Sequence, residues 1–382
     1  MDFSLNDDQR AIADMASSLF SDSCSDEALL AFDKSGKTTM DALWQSCIET
    51  GLNALYLPEK FGGSELGFTE LMLVLEAQGR ALGQVPLWRN QIAAAAIATF
   101  GDESLHLLAS KAATGDILVT LSQADHTRAR GIELQAAITS DGLLLNGQVS
   151  AVPEGGSAYA VIVSVAGPDG VQPVVIELAS NGITRTEGVF TQGEAIADLT
   201  FENVIVPKAN ILPSSAVEWL EIRSIAAQAS IQLGVSGQQI KRTVEYVNER
   251  RQFDRPIASF QAVQMAMADC YIALESLRSV LWQLCYRLDA GLPAQSEALA
   301  TAWLACEAGH SVGHKAQHVH GGFGVDVTYP IHRYLYWSRA LSLGLGGSRA
   351  ILEKLGDWLT INDKLGWKYD LDENTLDAKT RV

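Results

Sequence analysis

The sequence predicts an α+β multidomain protein in three parts: an N-terminal helical domain, a middle β domain and a C-terminal helical bundle. Apolar residues recur at helical spacing from Leu5 to about Thr114 and alternate with period two from Asp116 to Pro207. Helical spacing returns from Ser215, and glycine and proline punctuate the joins. A chain of 382 residues is long enough for two or three domains with a proper core. On this reading the domains are 1–115, 116–212 and 213–365, followed by a polar tail, 366–382, suited to the surface or to a partner.

In the first part, helices are expected over Asp7–Phe20, Thr39–Thr50, Thr69–Leu82 and Leu87–Phe100. Between two of them the run Leu55 to Gly67 contains Gly62-Gly63, the mark of a loop with unusual backbone angles. In the second part, strands are expected over Ile117–Ser122, Ile132–Thr139, Leu143–Val149, Tyr159–Val165, Val171–Leu178 and Ala197–Val206. Ser140-Asp141-Gly142 and Pro168-Asp169-Gly170 supply turn chemistry. Short antiparallel strands at this spacing suit a small barrel or a sandwich. No strand leads through G-x-G-x-x-G into a helix, so a dinucleotide fingerprint of that kind is unsupported.

In the third part, Ser215 and Glu218 make a capping-box pair for a helix running to about Arg250. A second helix follows Pro256 and stops near Gly291-Leu292-Pro293. A third spans Gln295 to Val319 and ends at Gly321-Gly322; a fourth starts at Thr328-Tyr329-Pro330 and reaches at least Leu343. Four long helices with short connectors imply an up-down four-helix bundle.

Composition narrows the partners. With 47% hydrophobic and 19% charged residues this is a soluble globular composition, and a net charge of −17 argues against nucleic acid or an anionic membrane. The acidic N-terminus shows no signal-peptide pattern, and the apolar run Ile92 to Ile97 is far too short to span a bilayer. The five cysteines lack C-x-x-C spacing and suit buried, reduced thiols in a cytoplasmic protein.

Chemistry concentrates in Arg250-Arg251-Gln252-Phe253-Asp254-Arg255-Pro256-Ile257-Ala258-Ser259-Phe260-Gln261, a connector between two helices. Three arginines ahead of a helix N-terminus suit an anionic ligand, since guanidinium forks pair with phosphate. They could equally pair with carboxylates of this acidic chain. A second stretch, His318-Val319-His320-Gly321-Gly322-Phe323-Gly324, offers paired glycines that let a ligand approach the backbone, or simply a tight turn.

The first stretch resembles the R-x-x-F-(G/D)-x-P-I-x-x-F-Q signature of acyl-CoA dehydrogenases. The second resembles that family's (Q/H)-x-x-G-G-x-G segment. Pro58-Glu59 with Gly62-Gly63, then Glu76 and Gly79-Arg80, resemble its N-terminal helical domain. The order helical domain, β-barrel, four-helix bundle is shared across essentially the whole chain. The resemblance implies FAD as cofactor, with Arg250, Gln252, Phe253 and Gln261 contacting the flavin nucleotide of a neighbouring subunit. It implies that His318, Gly321 and Gly322 close over the pyrophosphate and adenosine. Asp254 stands where the family more often has glycine, and His318 where glutamine is usual.

Two features the resemblance leads one to expect are missing. The family's catalytic glutamate lies just past the fourth helix, where this chain has Gly344-Leu345-Gly346-Gly347-Ser348, and leucine cannot take a proton. A minority of the family places the base on the first bundle helix; that position is Ser224, with Glu221 one turn earlier as a candidate base or a solvated helix residue. The T-E-x-x-x-G-S-D and W-I-T segments that wrap the flavin ring become Ser122-Gln123-Ala124-Asp125-His126-Thr127 and Ala151-Val152-Pro153.

This lopsided pattern resembles the smaller, non-catalytic subunits of heteromeric bacterial steroid side-chain acyl-CoA dehydrogenases. It implies a heterodimer or heterotetramer with a catalytic acyl-CoA dehydrogenase subunit, an acyl-CoA substrate, and an acceptor such as electron-transfer flavoprotein. No residue of this chain is then assigned to catalysis. Three alternatives remain: a self-sufficient homo-oligomer with Glu221 as base, a purely architectural subunit, and a metal-binding bundle. The last rests on Glu307, His310, His314 and His318, one helical stripe containing the Glu-x-x-His of di-iron bundles.

Overall fold

Helix α1 (Asp7–Ser23) starts with a reciprocal cap: the Asn6 side chain accepts from the Gln9 N–H, and the Gln9 side chain accepts from the Asn6 N–H. The computed structural model describes residues 4–122, 131–168 and 170–362. It divides into two compact units, one ending at Ser224 and the other beginning at Ile225.

The first unit opens with α1, α2 (Asp26–Ser35), α3 (Asp41–Glu49), α4 (Phe68–Ala81), α5 (Leu87–Phe100) and α6 (His106–Ala113). The sequence reading omits α2 and α6, which are short and lack a sustained apolar stripe. Alanine-rich α5 is buried on all sides from Asn90 to Ala98, as a helix without a polar face must be. Its Asn90 ties two elements together. The side-chain amide donates to Ala112 O (3.1 Å) and its carbonyl accepts from Val119 N (3.0 Å).

The strands that follow are β1 (Val119–Leu121), β2 (Gln135–Ile138), β3 (Gly142–Pro153), β4 (Ala160–Gly167), β5 (Gly170–Glu177), β6 (Ile183–Val189) and β7 (Ala195–Pro207). They form one seven-stranded sheet in the order β1-β4-β2-β3-β7-β6, with β5 also on β4. Two departures from expectation follow. The β1–β4 and β2–β4 pairings are parallel, so the sheet is mixed rather than antiparallel. Its order ends at β6 without closing, which makes it a half-barrel. Alternation fixes which face a side chain takes; it does not fix the direction of the neighbouring strand. One face packs Leu134, Leu145, Val149, Val163, Leu199 and Phe201 into a single apolar cluster. The loop expectation over Gln123 to Thr127 lies outside the described residues, as does the tail after Asn362.

The second unit comprises α7 (Ser215–Glu249) from Ile225 onward, α8 (Gln261–Asp289), α9 (Gln295–His320), α10 (Ile331–Gly344) and α11 (Gly347–Ile361). α9 is central and packs on α8, α10 and α11. The expected four-helix bundle therefore gains a helix, α11, behind a glycine-rich connector that reads as a stop. The inner face of α7 is unusually polar, and glycines accommodate it. Gln232, 1% exposed, donates to Ser236 Oγ (2.8 Å) and Ser338 Oγ (3.0 Å). Its carbonyl oxygen lies 2.7 Å from where a Cβ on Gly309 would stand, so a larger residue on α9 there would push the Gln232 amide aside. Gln228 seats over Gly344 in the same way. The α8–α9 turn is closed by Arg287, whose Nε donates to Pro293 O (2.5 Å) and lies 3.4 Å from Glu297 Oε1.

Candidate functional site

The arginine connector folds into a minimal hairpin. β8 (Arg251–Gln252) pairs with β9 (Arg255–Pro256), and the pair Gln252–Arg255 closes it. The two residues between them, Phe253 and Asp254, have φ of +54° and +64°. Such left-handed pairs define the tight hairpin turn whose twist matches that of its strands. Asp254 therefore takes a positive φ where the family more often has glycine, and aspartate tolerates it. Phe253 adopts it under strain, 85% exposed, with its ring edge-on to Phe260 at 6.2 Å.

None of the three arginines pairs with a carboxylate among the described residues. Arg251 donates to Asp254 O (2.8 Å) and Arg255 lies 4.1 Å over the Phe260 ring. The exposed Arg250 guanidinium has no hydrogen-bond or ion-pair partner among the described residues. In a chain of net charge −17, that is an open cation. The same connector leads into the 29-residue helix α8, whose N-cap residue Phe260 makes no side-chain cap. Its first N–H groups are thus left to solvent or a ligand, with the positive end of the helix dipole behind them. Gln252 and Gln261 are exposed and likewise make no side-chain hydrogen bond to described residues.

The glycine turn lies at the end of α9. Gly321 has φ +59° and ψ −130°, a backbone state that is essentially glycine's alone. A Cβ added at Gly321 or Gly322 would meet nothing within 4 Å, so the backbone there faces open space. His318 is exposed beside it.

A stack joins the two motifs. Tyr246, one turn before Arg250 on α7, lies parallel to His320, the residue before Gly321, with ring centroids 4.3 Å apart and planes 22° apart. Phe323 and Tyr329 close round the pair at 5.6–6.5 Å. His320 is 2% exposed, and its Nδ1 lies 2.8 Å from Ala316 O, which can only accept; the neutral ring therefore carries its proton on Nδ1. Burial pushes this histidine below its ordinary value of 6.5, against a smaller upward pull from the Ala316 carbonyl.

The seven candidate residues, Arg250, Gln252, Phe253, Gln261, His318, Gly321 and Gly322, are thus exposed positions on two turns tied by one stack. An open guanidinium, uncapped helix amides and bare glycine backbone fit a pyrophosphate, so the residues present suit that part of FAD.

The remaining candidates fall elsewhere. Leu345, which the resemblance sets at the base position, is buried at the C-terminus of α10. In the first unit, Val152 and Pro153 pair with Ala197 and Ile196 of β7, and Thr120 Oγ1 donates to Pro153 O (2.9 Å). Backbone pairing and packing occupy this segment. Ser224 is fully buried and Glu221 half-buried on α7. Two residues on from Glu221, Arg223 donates to Tyr56 Oη (2.7 Å) and stacks 4.0 Å over Trp219. The metal alternative is not realised. Glu307, His310 and His314 occupy the exposed face of α9, and no cluster of three metal-ligating side chains exists among the described residues.

Sequence reasoning assigned no role to Tyr246 or His320. Their pairing links positions 74 apart (320 − 246), and no local period signals it. Among the described residues no helix is long and apolar enough to cross a membrane.

A helical segment, a half-barrel sheet and a helical bundle that presents an anion-fitting surface define the class. The family descriptions "Acyl-CoA dehydrogenase, N-terminal domain" and "Acyl-CoA dehydrogenase, C-terminal domain" match residues 6–106 and 225–359. Acyl-CoA dehydrogenase FadE27 of Mycobacterium tuberculosis is 31% identical over 367 residues, covering 93% of this chain and 98% of the relative. The solved ChsE4–ChsE5 complex from Mycobacterium tuberculosis superposes with a TM-score of 0.90 at 31% identity, covering 95% of this chain and all of that one. A variant of the Tcur3481–Tcur3483 steroid ACAD gives 0.87 at 34% identity, covering 92% and 98%. The chain belongs to the acyl-CoA dehydrogenase family, oxidoreductases that use FAD.

Proposed function

We propose that this chain is one subunit of a heteromeric acyl-CoA dehydrogenase and lends its hairpin and glycine turn to FAD held mainly by a catalytic partner. The observation that carries this is the open Arg250 guanidinium, in the connector that leads into the uncapped N-terminus of α8, on an otherwise acidic chain. Arg250, Gln252, Phe253 and Gln261 would meet the nucleotide from one side, and His318, Gly321 and Gly322 from the other. Two missing parts support a shared site: a leucine stands at the base position, and Ala151-Val152-Pro153 offers the flavin ring no aromatic or hydroxyl group.

When bound, FAD supplies the acceptor for the hydride that leaves the β-carbon of a CoA thioester. This chain's part is to neutralise phosphate charge through Arg250 and the first turn of α8, and to hold the dinucleotide through backbone at Gly321 and Gly322. The partner subunit would supply the base and most of the acyl cavity. Likeness to solved steroid ACAD assemblies supports a bulky acyl group such as a steroid side chain. Electron-transfer flavoprotein is the proposed acceptor, and the cytoplasm the proposed location.

Bound FAD per chain tests this, measured for the protein purified alone and after co-expression with a partner. The expected result is a colourless protein alone and about one flavin per heterodimer in the complex, lost on Arg250→Ala. One flavin per chain in the isolated protein, bleached by an acyl-CoA, would instead identify a self-sufficient enzyme and direct attention to Glu221. Unchanged flavin in the Arg250→Ala complex would leave an architectural role.

A further inference from the structure

We infer that the Tyr246–His320 stack is a positioning pair, which sets the distance between Arg250 and the Gly321-Gly322 backbone and so determines how tightly the dinucleotide is held. This rests on the reading just given, since it assigns a role within that same surface.

The hairpin and the glycine turn come from the ends of different helices. Each presents mostly exposed residues. Among the described residues, the ring cluster joins them. Tyr246 O accepts the Arg250 N–H (2.8 Å), so the tyrosine lies on the last turn of α7, directly ahead of the hairpin. The other ring, His320, is covalently joined to Gly321, whose own N–H donates to His318 O. The imidazole cannot turn freely, because its Nδ1–H bond to Ala316 O (2.8 Å) fixes the ring plane against which the phenol lies. A phenyl ring at position 320 could fill the volume without fixing that plane. Tyr329 packs on both rings, at 6.5 Å from Tyr246 and 5.6 Å from His320, and fixes the stack from a third side. An anion bridging guanidinium and backbone amides needs both at hydrogen-bond distance together, and small misplacements of such groups cost large factors.

The pair touches neither the reacting atoms nor, on this reading, the phosphates. Its effect should therefore appear in FAD affinity and not in fold. In the co-purified heteromer stripped of flavin, Tyr246→Leu should raise the FAD Kd about tenfold with little change in melting temperature. Tyr246→Phe, which keeps the ring, should restore wild-type affinity. Where Tyr246→Leu does not assemble, Tyr246→Met keeps apolar bulk without a planar face and should show the same loss. Wild-type FAD affinity in the assembled leucine or methionine variant overturns the inference. Arg250→Ala in parallel separates the two levels. If it leaves the Kd unchanged, the shared-site reading itself is wrong. If it weakens FAD while the Tyr246 variants do not, only the positioning role is lost.

Discussion

Replacing Gly322 by alanine puts one methyl group where the protein alone has nothing. A Cβ there meets no atom within 4 Å, and the residue does not lie in the left-handed region, so the fold should accept the change. Removing a glycine's freedom from the unfolded chain at a compatible site adds about 0.4–1 kcal/mol of stability. The consequence for a bound pyrophosphate is opposite. Carbon packs against its neighbours at about 3.5–4.0 Å, whereas an N–H···O bond needs roughly 2.7–3.2 Å. The methyl would hold phosphate oxygens about half an ångström or more too far from the backbone amides. Losing one charge-assisted hydrogen bond costs about 1.5–3 kcal/mol, or roughly ten- to a hundredfold in affinity. The assay is FAD titration of the stripped heteromer by quenching of flavin fluorescence, beside thermal denaturation of the same sample. An unchanged or slightly raised melting temperature with a much weaker FAD Kd is expected. Wild-type affinity would refute the assignment of this turn to the dinucleotide. Gly321→Ala discriminates less well. Its φ of +59° with ψ of −130° makes any side chain strained by about 1–3 kcal/mol, so stability and flavin should fall together.

Arg287→Ala should destabilise the chain by about 3–5 kcal/mol in urea unfolding, because it leaves the carboxylate of Glu297, 11% exposed, without its cation. Replacing both partners with apolar residues of similar volume should cost much less. The native state holds His320 neutral, with its pKa below the usual 6.5, so the unfolded chain binds more protons in the intervening window. Its contribution is therefore full above about pH 6.5 and is lost as pH falls through the folded value. His320→Phe should remove that part of the pH dependence, measured as urea midpoints across the window. Burial pushes the thiols of Cys24 and Cys47 up to about 12 and that of Cys270 up to about 11, so iodoacetamide at pH 8 should label them only after denaturation.

Local rules explain which elements were legible. The break at Pro256, the stop at Gly291-Leu292-Pro293 and the glycine end of α9 all follow from backbone chemistry within a few residues. The long helices α4, α5, α8 and α9 carry enough periods to stand out. Shorter pieces did not: α2 and α6 have only 10 and 8 residues, β6 only 7, and α11 hides behind Gly346-Gly347. At the candidate site the two turns were legible, since arginines beside a proline-started connector and paired glycines are compositional signals. Whether those arginines were committed to carboxylates was not legible, because ion pairing depends on which side chains lie within about 4 Å after folding.

By itself, then, the sequence determined the helical, β and helical order, and where an arginine connector and a glycine turn interrupt it. These are properties of period and turn chemistry, and each is complete within a short window. Tertiary structure alone decided that β4 takes parallel partners on one edge, that the Gln232 amide seats against Gly309, and that Tyr246 meets His320. Each depends on a contact between residues far apart in the chain. Such contacts are selected by packing and hydrogen-bond satisfaction across the whole core, which no local window contains.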